Sequence, residues 1–194
     1  MSYHLYQTRG FVLRSANIGE ANKLFFIFTE KMGLLGVSAQ SVRKVSSKLR
    51  HSLRDFSFAR ISLVRGKTSW RLTDAEEIFS FSLEKEMEKL KVFAGVLSLV
   101  RRLVHGEEDN PELFSLLLET LNFLKREALD SDELKRVETL AVLKILASLG
   151  YVGESKILAS FIVSPLSKNI LNVFEPVRRD ALREVNRALE ESQL

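Results

Sequence analysis

The stretch Thr8-Arg-Gly-Phe-Val-Leu-Arg-Ser15, followed by Ala21-Asn-Lys-Leu-Phe-Phe-Ile-Phe-Thr29 and Leu34-Leu-Gly-Val-Ser-Ala-Gln40, decides the fold. Phe11 and Leu13 alternate with Gly10, Val12 and Arg14 at the two-residue period of a strand, and Ser15-Ala-Asn-Ile-Gly19 interrupts the run with turn formers. The second and third runs meet through Glu30-Lys-Met-Gly33, whose glycine can take the positive φ of a tight hairpin. Phe56 to Val64 and Ser69 to Ala75 form a further hairpin around Gly66. Five short strands in about the first 76 residues, with a small polar insertion of helical character at Ser41 to Leu53, match the five-stranded OB barrel.

Beyond Phe81 the period changes to 3.6. Leu90, Phe93, Ala94, Leu97, Val100 and Val104 share one helical face, with Gly106 as a stop. Asn110-Pro-Glu112 supplies an N-cap, a proline at the first helical position and an acid at the positive end of the dipole. A third helix opens at Asp130-Ser-Asp-Glu133, is apolar nearly all round at Leu140 to Leu143 and ends at Gly150, which predicts a central position. Pro176 starts a fourth, and short helices are expected around Lys156 to Phe161 and Leu166 to Val173. The expected architecture is therefore α+β: an OB-fold β-barrel domain over residues 1–80 and an all-α helical domain over 81–194.

Charge separates the halves as well. Residues 1–80 hold 13 Lys/Arg and 6 Asp/Glu, net +7, against 16 and 19, net −3, in residues 81–194. Between Arg43 and Arg71 nine cations (Arg43, Lys44, Lys48, Arg50, Arg54, Arg60, Arg65, Lys67, Arg71) face one acid, Asp55. A segment of that density looks for phosphate. Arg43, Lys44, Lys48, Arg50 and Arg54 crowd one inter-strand loop and are the first candidates for backbone contacts; Arg14, Arg60, Arg65, Lys67 and Arg71 follow. The competing reading is that cations solvate the outside of a barrel.

Phe25, Phe26, Phe28, Phe56, Phe58 and Trp70 suit either a barrel core or a stacking platform for bases, with Trp70, beside Arg71, the candidate for stacking. Phe25 and Phe26 are adjacent and so point to opposite faces of a strand.

Other chemistry is thinly represented. The chain has no cysteine, which removes disulfides, thiolate metal sites and Cys nucleophiles and agrees with a reducing cytoplasm. No apolar run is long enough to span a bilayer, and Met1 to Ser15 lacks a signal-peptide core, so a soluble protein is expected. His4, His51 and His105 are isolated, the acidic clusters (Glu76-Glu77, Glu107-Glu108-Asp109, Glu190-Glu191) fall at element ends, and neither a P-loop nor GxGxxG is present. No catalytic constellation emerges, and no cofactor is implied. A non-enzymatic binding protein is expected.

Several motifs in register resemble one family. Thr8-Arg-Gly-Phe-Val-Leu13, Gly19-Glu-Ala-Asn-Lys-Leu24, Phe28-Thr-Glu-Lys-Met-Gly33, Arg43-Lys44 with Ser47 to Leu53, and Leu72-Thr-Asp-Ala-Glu76 are similar to the N-terminal half of RecO, the bacterial recombination mediator and annealing family. Leu149-Gly150-Tyr151 resembles an element of its helical domain. The resemblance implies binding of single- and double-stranded DNA, annealing of complementary strands, and work with RecR and single-stranded-DNA-binding protein to load a recombinase. It also implies a role in DNA repair and recombination, near the nucleoid. By the same resemblance the helical domain receives the acidic tail of the single-stranded-DNA-binding protein. Arg101-Arg102 and Lys125-Arg126, cations beside apolar helix faces, are the candidates for it, and dipole complementation near helix ends explains them equally well. Two rival readings stand beside this one: an RNA- or ribosome-associated OB module, and a non-catalytic adaptor in which the barrel is only a scaffold.

Many RecO relatives carry a four-cysteine zinc ribbon after the Leu-Gly-Tyr element, whereas Gly153 to Pro176 here contains neither Cys nor His. A zinc site requires such ligands at close spacing. Chelator treatment should therefore leave the thermal melt and DNA affinity unaltered, and stoichiometric zinc in the purified protein would contradict this.

Overall fold

A computed structural model of the chain describes residues 4–43, 47, 49, 53–153 and 155–191. Five strands, β1 (Leu5–Ile18), β2 (Asn22–Thr29), β3 (Gly33–Ala39), β4 (Phe58–Arg65) and β5 (Trp70–Phe79), close into a barrel in the order β1-β2-β3-β5-β4. All neighbours run antiparallel except β3 and β5, which are parallel. This is the OB architecture, followed by helices α1 (Met87–Leu103), α2 (Pro111–Arg126), α3 (Ser131–Ser148), α4 (Ala159–Val163), α5 (Lys168–Phe174) and α6 (Arg178–Glu191). The chain divides into two compact units, one of residues 1–81 with 104–111, the other of 82–103 with 112–194.

β1 is longer than its local sequence suggests. Ser15-Ala-Asn-Ile18 has turn-like propensity, yet Ser15 to Ile18 pair in register with Phe25 to Asn22, because a cross-strand partner outweighs a weak local preference. A register shift between Val12 and Arg14 marks a bulge, and it lets Phe11, Val12 and Leu13 all be buried in succession. The chain entering β4 answers the bulge: Phe56 N–H donates to Val12 O at 2.8 Å and Val12 N–H to Ser57 O at 2.9 Å. Phe56 thus sits in a turn at φ 64° and the strand begins at Phe58, two residues later than the apolar pattern suggests.

The barrel core is Val12, Phe25, Ile27, Leu35, Val37, Ala39, Ala59, Ile61, Leu63, Trp70 and Leu72, with Val42 and Leu53 from either end of the 41–53 insertion packed on it. Phe25 points into this core while Phe26 is half-buried on the opposite face. Each large side chain so buried contributes about 1.5–3 kcal/mol.

Within the helical unit α3 is the centre, packing against α1, α4, α5 and α6. Both of its ends are closed. Asp130 accepts from the N–H groups of Asp132 and Glu133 while Glu133 accepts from Asp130 N–H, a capping box. At the other end Gly150, at φ 79°, and Tyr151 donate to Ala147 O and Leu146 O, a Schellman motif that gives the Leu149-Gly150-Tyr151 element its physical meaning. Lys144 is only 3% exposed, and its Nζ donates to Ser164 O and to Glu119, which itself accepts from Leu166 N–H. Residues 155–176 include α4, α5 and the start of a 3-10 turn, with Phe161, Leu171 and Phe174 buried. Pro176 falls in that turn, and α6 begins at Arg178.

Gly33 makes the closest approach of any glycine of the barrel unit. It has φ 61°, and an added Cβ would lie 2.2 Å from the Glu108 carbonyl oxygen, whereas Gly19, at φ 57°, has open space around it. Leu34 N–H donates to Gly106 O beside it, which binds the 104–111 segment to the start of β3. Gly19→Ala should cost about 1–2 kcal/mol for its left-handed backbone alone. Gly33→Ala should lower the thermal midpoint distinctly more, because steric overlap is added; equal losses in the two variants would refute the close approach.

Candidate nucleic-acid interface

Following the ladders around the barrel, Ala16, Leu24, Ser38, Arg71, Val64 and Leu5 lie at one level, which returns to β1 well away from where it left it, the stagger expected of a closed barrel. Beyond that level, at one end of the barrel, lie the β1–β2 turn, the β4–β5 turn and the chain leaving β3. Arg43 holds two of these together: its N–H donates to Ala21 O and its Nη1 to Gly19 O, both at 3.0 Å. Asn22 accepts from Ser41 N–H at 2.8 Å, and Arg71 Nη2 donates to Gln40 Oε1 at 2.9 Å. Arg65 ends β4 and Lys67 sits exposed in the following turn. Arg14, exposed on β1 opposite Phe26, flanks the group.

Among the described residues, then, Arg43, Arg65, Lys67 and Arg71 share one end of the barrel, with Arg14 beside them. Lys23, at the start of β2 with Nζ 5.8 Å from the Phe25 ring centroid, joins them; its neighbours in sequence are not basic, and only the register brings it in. Lys44, Lys48 and Arg50 lie outside the described residues, as does His51.

Arg54 and Arg60 are elsewhere. Arg60 pairs across the sheet with Glu76 and bonds it at 2.6 Å, and Arg54 makes a two-pronged contact with Glu77. Arg60 is roughly 17 Å from Arg65 along β4. Each cation has its own carboxylate on β5, so the series Arg60, Arg65, Lys67, Arg71 does not form one uninterrupted track.

Trp70 is 4% exposed and belongs to the barrel core. Tyr6 meets its ring edge-on with centroids 5.1 Å apart, and the Arg65 guanidinium lies 4.9 Å from the ring centroid. As placed, the indole presents no open face for a base to stack on, because closure of the barrel requires a bulky inward residue at this position.

The 104–111 segment supplies a contact that residue type alone does not reveal. Glu107, which looks like part of a solvated helix end, accepts from Arg65 Nη1 at 2.7 Å and from Trp70 Nε1 at 3.1 Å. Glu107, Glu108 and Asp109 also reduce the charge excess of this unit from the +7 of residues 1–80 to +4. No local pattern marks a partner 42 residues away in the chain.

In the helical unit, Lys89 Nζ donates to Glu127 O, so the start of α1 lies beside the end of α2. Arg101 and Arg102 are roughly 18 Å further along α1. The structure therefore separates Arg101-Arg102 from Lys125-Arg126 rather than joining them in one patch. An open groove lined by Asn172, Glu175, Pro176, Arg178, Arg179 and Leu182 does set guanidinium groups beside apolar surface. Among the described residues no group of His, Asp and Glu is arranged to hold a metal ion, and no helix is long and apolar enough to cross a membrane.

Two carboxylates in the barrel unit are held below their ordinary values. The hydrogen bond from Arg9 does this for Glu30. For Glu77 burial pulls upward but is outweighed by donors from Arg54 and Ser80. Depressed folded-state values mean that both pairs stabilise the fold above the ordinary carboxylate range and lose that contribution as pH falls from that range through the lower folded-state values. The thermal midpoint should fall on acidification below about pH 4.5, and the Glu30→Gln, Glu77→Gln double variant should fall less steeply; parallel curves would exclude these pairs as the cause.

Residues 1–81 match the family described as "Recombination protein O N terminal", and residues 85–152 the one described as "Recombination protein O C terminal". Similar curated proteins include the "DNA repair protein RecO" of Alkaliphilus metalliredigens, 30% identical over 72% of this chain and 57% of that protein. Those of Clostridium novyi, at 30% over 76% and 57%, and Dehalococcoides mccartyi strain BAV1, at 33% over 78% and 58%, bear the same name. The matches span little more than half the length of each relative. With both halves matched in order, and with a closed barrel followed by helices, the chain belongs to the RecO family.

Proposed function

We propose that the protein is a recombination mediator in DNA repair. In this reading it binds single- and double-stranded DNA through the barrel and anneals complementary strands. With RecR and the acidic tail of single-stranded-DNA-binding protein, it helps load a recombinase onto coated DNA. The observation that carries the reading is the gathering of Arg43, Arg65, Lys67 and Arg71 at the end of the barrel that holds the β1–β2 and β4–β5 turns, within a chain of RecO membership. Those turns are where OB folds commonly grip oligonucleotides. The reaction is physical rather than covalent: neutralising phosphate on two strands lowers their repulsion, so that complementary segments pair while both are held.

Two measurements test it. Replacing Arg43, Lys44, Lys48 and Arg50 with alanine should weaken single-stranded DNA binding and lower the salt slope by about 0.7 for each phosphate that is no longer neutralised; an unchanged slope places the interface elsewhere. With saturating protein at low salt, two labelled complementary oligonucleotides should pair faster than they do alone, the gain fading as screening rises. Intact binding without acceleration would favour a generic nucleic-acid-binding module, and preference for RNA of equal length would favour an RNA-directed one.

A further inference from the structure

Glu107 divides its carboxylate between two donors of different kinds. Arg65 Nη1 gives a charged N–H to one oxygen at 2.7 Å, and the Trp70 indole gives a neutral N–H to the other at 3.1 Å. The guanidinium also lies against the indole ring, 4.9 Å from its centroid, so the two donors brace one another. Arginine with a fixed neutral N–H is a donor set that suits a phosphodiester as well as a carboxylate, since both present two oxygens to a fork. The set stands where β4 ends and β5 begins, with Lys67 in the intervening turn and Arg71 next along the strand.

The carboxylate arrives from a segment whose backbone is fastened separately. Leu34 N–H holds Gly106 O at 3.0 Å, and Gly33 receives Glu108 at a distance no side chain would permit. The Glu107 side chain can therefore leave its donors while the segment stays in place. Little opposes that departure: Arg65 is 58% and Glu107 46% exposed, and ion pairs so open to water are weak.

We propose that Glu107 occupies a phosphate subsite of the barrel, and that a nucleic-acid backbone binds there by displacing its carboxylate. Arg65 and the Trp70 N–H are the ligands of that subsite, and Glu107 is an internal competitor that lowers affinity and leaves only polyanions able to enter. Trp70 contributes its N–H while its ring stays in the core. The proposal rests on the DNA-binding reading above and adds to it the site and its regulation.

Trp70 is the only tryptophan of the chain, so its emission reports on this subsite. The full chain and its Glu107→Gln, Glu108→Gln, Arg65→Ala and Arg65→Ala/Glu107→Gln variants are titrated with a fluorescent oligothymidylate at several salt concentrations. Tryptophan emission is followed in parallel with an unlabelled strand and with inorganic phosphate. Glu107→Gln should bind about two- to five-fold tighter with a nearly unchanged salt slope, because the same phosphate is neutralised in both proteins. Glu108→Gln, of equal charge but without the hydrogen bonds to Arg65 and Trp70, should gain clearly less. In the Arg65→Ala background Glu107→Gln should add no more than Glu108→Gln does. The oligonucleotide should change the emission of the wild-type chain, and inorganic phosphate at the same phosphate concentration should not. Wild-type binding with no gain in Glu107→Gln, an equal gain in Glu108→Gln, or a gain that keeps its full size in Arg65→Ala would overturn this proposal alone. Failure of every variant to bind nucleic acid would overturn the DNA-binding reading with it.

Discussion

The barrel closes on two residue pairs, Val37 with Trp70 and Ser38 with Arg71, the parallel contact between β3 and β5. Every other seam is a long antiparallel ladder, so this short one determines whether the sheet is a cylinder or an open ribbon. It is reinforced from outside the ladder: Ser38 Oγ donates to Trp70 O at 3.0 Å, and Arg71 reaches Gln40 just beyond the end of β3. Trp70 itself is a core residue, so one side chain fills the interior at the point where the backbone closes. Had the seam formed one residue out of step, Trp70 would face solvent and Arg71 the core, which the pleat forbids at the cost of a buried charge.

This seam also explains why the candidate site lies where it does. Arg71 alternates with Trp70, so burying the indole turns the guanidinium outward at the end shared by the two turns. The same end receives Arg43 because the chain must leave β3 there, and Arg65 because β4 must finish there before its hairpin. The cations further down the barrel met carboxylates on β5 instead. Charge counted along the chain overstates the field of the folded unit, since Glu76, Glu77 and Glu107 each face an arginine.

The five strands and the long helices were legible because their periods of two and 3.6 are local properties. The last residues of β1 were not, because their pairing with the start of β2 overrides a turn-like local preference, and the bulge at Leu13 and the turn at Phe56 were not, because they answer one another across segments distant in sequence. The start of α3 at Asp130 and its stop at Gly150 were readable from residue type alone. For the site, the basic character of residues 43–71 was visible, but its division into a group at the end of the barrel and a group paired with carboxylates on β5 was not. Trp70 could be read as core or as stacking platform, and only the closing seam decides between them. Glu107 carries no local mark: an acid between two helices looks solvated until the fold brings it to Arg65.

Lys144 carries a consequence for how the helical unit breathes. Its ammonium lies under the 164–166 segment, answered by Ser164 O and by Glu119, which in turn binds Leu166 N–H. Peeling that segment away would strip an interior charge of a partner and open the interior around Phe161 and Phe174 to water. Partial opening is thereby made costly, so α4 and α5, short as they are, should exchange their amide hydrogens with the stability of α3 rather than as frayed appendages. The region that has no thiols to hold a metal is joined to the centre of its unit by one lysine, and acts as part of the same cooperative block.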